Sequence, residues 1–132
     1  ATRLMRFSFV AIACFLAFVA VAFGAFGAHA LESRVSLVRV ETWAVAVHYH
    51  SLHALAMIAL SAALANKHSV WLQRAQAFFV IGVCLFSGSL YLLVLTDTPQ
   101  LGAVTPLGGV SLLAGWVCAF FAAVQKSHDP DA

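Results

Sequence analysis

Apolar residues run almost unbroken through four stretches, Phe7–Ala28, Trp43–Ala65, Ala75–Leu95 and Pro106–Val124, and the short segments between them carry nearly every charge. Each stretch is close to the roughly 20 residues a helix needs to cross hydrocarbon. With no water to take up backbone polar groups, a spanning segment must satisfy its own, which a helix does internally. The pattern predicts an all-α fold, an integral membrane four-helix bundle, with residues 1–132 forming a single transmembrane domain. Little chain is left for an extramembrane catalytic site.

Finer patterning marks the connections. Leu31, Val35 and Val38 recur at helical spacing while Glu32, Ser36 and Arg39 face elsewhere, which predicts a short interfacial helix between helices 1 and 2. Asp97, Pro99 and Gly102 mark turns, and Thr105-Pro106 has the form of an N-cap followed by proline at the first helical position. Two helices carry small residues every fourth position: Ala20, Gly24 and Ala28 on the first, and Ser111, Gly115, Ala119 and Ala123 on the fourth. Lipid gives helices no hydrophobic reason to associate, so such residues predict seams of close backbone approach. Truncating Leu112 is expected to be milder than filling Gly115, if Leu112 faces lipid.

Composition sharpens the class. Hydrophobic residues make up 63% of the chain and charged residues 9%, against about 25% charged in soluble domains. No run of Lys or Arg could neutralise a row of phosphates, so nucleic acid is excluded as a partner. Membrane lipid, and a larger membrane protein complex or a homo-oligomer, are the expected partners. Cys14, Cys84 and Cys118 lie in three different apolar stretches, an odd number without metal-ligand spacing, and are expected as small core residues. Arg3 and Arg6 before an apolar run, with Ala28-His29-Ala30 after it, resemble a signal peptide, but the run is longer than the ~7–15 apolar residues of one. A retained first helix is expected.

The distribution of Lys and Arg predicts orientation. With both termini cytoplasmic, the inner side holds Arg3, Arg6, Lys67, Arg74 and Lys126, and the outer side Arg34 and Arg39. Cytoplasmic N- and C-termini follow from that bias. Trp43 and Trp71 are then expected as anchors at opposite interfaces.

In this frame polar side chains gather in the outer half. His53 sits deep in the second helix with Tyr49 on the same face; Ser87, Ser89 and Tyr91 lie on the third helix, Thr105 at the start of the fourth, and His29 at the end of the first. The inner half is expected to hold mostly Ala, Leu, Phe and Val. Three uses fit the cluster. The first is an interhelical hydrogen-bond network in a structural or accessory subunit. The second is a route for a proton or small solute, though no Asp, Glu, Lys or Arg lies within a span. The third is a redox or metal site. His48 and His50 point to nearly opposite sides, so a shallow copper site would combine one of them with His29, and a haem would leave His53 without a deep histidine partner. The first use is preferred: a non-enzymatic protein with no cofactor, in which His48 and His50 are dispensable.

In order along the chain, Gly24-Ala-Phe-Gly-Ala-His29, Tyr49-x-x-x-His53-Ala-Leu-Ala56, Leu85-Phe-Ser-Gly-Ser-Leu-Tyr91, and Thr105-Pro-Leu-Gly-Gly109 followed by Gly115-Trp116 resemble the small membrane proteins grouped as domain of unknown function 423. That group is similar to eukaryotic transmembrane protein 256. The resemblance implies a four-helix inner-membrane protein and no activity. His29, Tyr49, His53, Ser87, Ser89, Tyr91 and Thr105 fall on its motifs; His48 and His50 do not.

Overall fold

The computed structural model describes residues 2–126, apart from the side chains of residues 2, 3 and 5–7. The side chains of Arg3 and Arg6, and the tail beyond Lys126, therefore lie outside the described residues. Four long helices make up the chain: α1 (Thr2–Phe26), α2 (Leu37–Ala63), α3 (Val70–Thr96) and α4 (Thr105–Val124). All are long and apolar enough to cross a membrane, and the protein is an all-helical membrane protein.

The helix ends follow local chemistry. Ser36 and Ser69 cap α2 and α3 by accepting from the backbone N–H of Arg39 and Leu72. Asp97 closes α3 in the left-handed conformation at φ 50° and pairs with Arg39 of α2 at 3.0 Å. At the other end, the Lys67 ammonium donates to the Ala123 and Gln125 carbonyls at 2.8 and 3.1 Å. A cation is thus placed where the α4 carbonyls run out of partners.

The connection between α1 and α2 differs from the expected interfacial helix. Gly27–Leu31 continues α1 as one π-helical turn, and Leu37–Thr42 is already the first part of α2. Trp43 packs where the wider turn begins: its indole Nε1 donates to the Phe23 carbonyl at 2.8 Å. Gly27 permits this, since a Cβ there would lie 2.6 Å from the Trp43 ring. Trp43 is accordingly buried against Phe23 and Tyr91 and is not an interfacial anchor. Trp71 packs at a tilt against Phe121 with the Arg74 guanidinium 5.0 Å from its ring centre.

Packing centres on α3, which meets α2 on one side and α4 on the other, while α1 packs mainly along α2. The α3–α4 contact is the closest, because glycine removes side chains from both surfaces. A Cβ at Gly108 would fall on the backbone of Phe86, and one at Gly115 would lie 2.6 Å from the Phe79 ring. Leu112 enters the notch left by Gly82, where a Cβ would lie 2.5 Å from its Cδ2. Leu112 is therefore buried and does not face lipid. Ser111 donates to the Phe78 carbonyl at 2.8 Å, and Ala119 is buried in the same contact. On α1 the small residues diverge: Ala20 is buried, Gly24 is partly covered and Ala28 is exposed. Of the cysteines, Cys118 is buried, whereas Cys14 and Cys84 are exposed and are not core residues.

Candidate functional site

His53 is the most completely bonded polar side chain in the interior. It is 2% exposed and both ring nitrogens are engaged: Nδ1 with the Tyr49 carbonyl at 2.7 Å, and Nε2 with the Trp116 indole N–H at 3.0 Å. An indole only donates, so Nε2 accepts, and Nδ1 carries the proton it gives to Tyr49. The bond partners define a neutral imidazole in one tautomer. Phe79 and Trp116 pack their rings around it, with centroids 5.3 and 5.8 Å away. The partner that reaches His53 from a neighbouring helix is thus the Trp116 indole.

The other members of the outer group form separate pairs. Ser87 donates to the Ala46 carbonyl at 2.7 Å, joining α3 to α2. Ser89 shares a 2.7 Å hydrogen bond with Thr105, joining α3 to α4. Thr105 is the first residue of α4, with Val104 in the capping position; its hydroxyl goes to Ser89, so it is not the N-cap the sequence suggests. Tyr49 is half-exposed and lies against Phe86 and His53. His29 is exposed on the π-helical turn, away from these pairs.

His50 departs furthest from expectation. It is 3% exposed, and its Nδ1 lies 2.9 Å from the Tyr91 hydroxyl. The Tyr91 ring is wedged between Phe23 and Trp43 at 4.8 and 4.6 Å. The His50 Nε2 is buried without a hydrogen-bond partner, and the Leu16 backbone of α1 borders the ring. His50 is thus buried and bonded to a neighbouring helix. His48 is exposed, edge-on to Tyr49. Among the described residues no three of His, Cys, Asp and Glu come together as a metal would require, so His29, His48 and His50 are dispersed.

The half of the bundle expected to be apolar also holds polar groups. Gln76, 2% exposed, donates from Nε2 to the Met57 carbonyl at 3.0 Å and to Ser61 at 2.9 Å, binding α3 to α2. Its signal was a lone amide in an apolar run. Trp116 had no comparable signal, since an indole reads first as bulk. Between His53 and Gln76 stand Met57 and Phe79, both fully buried.

These side chains are spent on joining helices: α2 to α3 four times over, and α2 and α3 to α4. The chain is 39% identical over 108 residues to the "UPF0382 inner membrane protein YgdD" of Escherichia coli (strain K12), covering 82% of each. It is 40% identical over 119 residues to the "UPF0382 membrane protein YwdK" of Bacillus subtilis (strain 168), covering 89% of this chain and 96% of that protein. No solved structure matches it. The family model described as "Protein of unknown function (DUF423)" matches residues 23–109, the segment that holds His29, Tyr49, His53, Ser87, Ser89, Tyr91 and Thr105. The chain belongs to the DUF423 family of membrane proteins.

Proposed function

We propose that the protein is a non-enzymatic structural or accessory subunit that packs against a larger membrane complex. The observation that carries this reading is the saturation of His53, whose ring nitrogens are both held by hydrogen bonds within the bundle. An imidazole so bonded has no lone pair left for a metal and no open proton position for a relay. Such bonds contribute roughly 0.6–2 kcal/mol each in a membrane, and an unpaired imidazole in hydrocarbon would cost more. The cluster then fixes the register of α2, α3 and α4, and the work of the protein lies in the surface the bundle presents. With both termini cytoplasmic, as the Lys and Arg bias favours, the α1–α2 connection faces the opposite compartment.

Native purification in mild detergent tests this. A second membrane protein should co-migrate in a fixed ratio, and His53→Ala should weaken that association together with thermal stability. A lone, monodisperse protein that retains full stability after His53→Ala contradicts the reading.

A second reading, conduction of a proton or small solute, is favoured by one observation: Gln76 and Ser61 extend polar groups into the inner half. Met57 and Phe79 would have to move aside for any continuous route. Flux in liposomes that His53→Ala abolishes without unfolding the protein would favour it.

A further inference from the structure

At the end of the bundle that bears the α1–α2 connection, a cleft of about 400 Å³ opens between these two helices. Its floor is the Trp43 ring, fixed by the indole bond to the Phe23 carbonyl. Gly24, Gly27 and Ala28 form the α1 wall, and Val40, Ala44, Val47 and His48 the α2 wall. Glu32 stands in the lining where the chain leaves α1, exposed and without an ion-pair partner among the described residues. The first-helix motif of small residues therefore continues, past Ala20, into a cleft whose α1 wall has no bulk to close it.

Size decides what fills this space. A helix 10–12 Å wide rising 5.4 Å per turn occupies about 400–600 Å³ per turn, so the cleft is too small to enclose more than about one turn of a partner's helix. A flexible chain of methylenes can follow it. Charge then decides which lipid: a carboxylate at the mouth of an apolar cleft favours a cationic group, and a primary ammonium offers three N–H donors to it. A choline headgroup offers none, and an anionic glycerol headgroup is repelled.

We propose that this cleft binds one acyl chain of a phospholipid with a primary ammonium headgroup, the chain lying over Trp43 and the ammonium on the Glu32 carboxylate. The chain merely exchanges one apolar environment for another, so selectivity resides in the headgroup contact. One charge-assisted hydrogen bond of this kind corresponds to about tenfold in affinity.

Nanodiscs of equal parts phosphatidylethanolamine, phosphatidylcholine and phosphatidylglycerol provide the test, with retained lipid counted by native mass spectrometry after gentle extraction. Wild type should retain one phosphatidylethanolamine, enriched about tenfold over the other two. Glu32→Gln should bring the three close to parity while leaving thermal stability unchanged. Ala44→Leu, which adds bulk at an exposed wall, should lose the bound lipid whatever its headgroup. Equal retention of all three lipids by wild type overturns the proposal, as does selectivity that survives Glu32→Gln. Crosslinking of Ala44→Cys to another protein in place of lipid overturns it as well.

Discussion

Two adjacent glycines near the start of α4 should respond to the same methyl group with opposite signs. A Cβ at Gly108 would fall within 2.6 Å of the Phe86 Cα and 2.7 Å of its Cβ, and closer still to its backbone nitrogen. Backbone cannot rotate aside, so Gly108→Ala must push α4 away from α3, straining the Ser89–Thr105 bond one turn away. At Gly109 the nearest atom is the Phe86 Cδ2 at 3.9 Å, ordinary contact. Alanine is favoured over glycine in a helix by about 0.8–1 kcal/mol, and overpacking costs about 1–3 kcal/mol, with each weakened interhelical bond adding roughly 0.6–2 kcal/mol. Gly108→Ala should therefore destabilise by about 1–3 kcal/mol, whereas Gly109→Ala should be neutral or stabilising by up to about 1 kcal/mol. Steric trapping in bicelles measures both as reversible unfolding free energies. Equal effects of the two substitutions would refute the claim that α3 and α4 meet backbone to backbone at Gly108.

Further outcomes follow from the same geometry. Gly115→Leu, which drives a branched side chain into the Phe79 ring, should destabilise by more than 2 kcal/mol, and Leu112→Ala, which empties the notch at Gly82, should also lower stability, both read by thermal unfolding in detergent. Tyr91→Phe should cost roughly 0.6–2 kcal/mol by removing the hydroxyl beside His50, while His48→Ala, at an exposed position, should change thermal stability little. A cysteine introduced at Ser36 should be labelled by impermeant reagent from the non-cytoplasmic side alone; labelling from the cytoplasmic side would reverse the orientation.

The helices were legible in the sequence because spanning hydrocarbon imposes length and apolarity on every residue of a segment: Ala75–Leu95 and Pro106–Val124 lie inside α3 and α4, whereas Phe7–Ala28 runs on into the π-helical turn and Trp43–Ala65 passes the end of α2 at Ala63. Their ends were less so. Leu37–Thr42 is polar enough to resemble a separate interfacial helix, yet Ser36 caps a single helix running from Leu37 to Ala63. Ser111, Gly115 and Ala119 lie at the α3–α4 contact because a fourfold spacing keeps them on one face. The same spacing on α1 misleads, because the buried indole of Trp43 takes Gly27 in place of Ala28 as the contact residue. Depth and helical face could place Tyr49 and His53 together, but which partner each imidazole meets depends on helices distant in sequence. Trp116 and Tyr91 could not be matched to His53 and His50 by any local pattern.

The central claim is that His53 is a bonded structural imidazole with no free nitrogen. Nitrogen-15 spectroscopy of histidine-labelled protein in lipid measures this directly, assigned by comparison with His53→Ala. The expected spectrum shows His53 neutral, protonated at Nδ1, with Nε2 in through-space contact with the Trp116 indole proton, a contact that Trp116→Phe removes; added copper(II) leaves the signal unchanged. A His53 ring that is protonated at Nε2, or whose signal is lost on adding stoichiometric copper, would contradict the account.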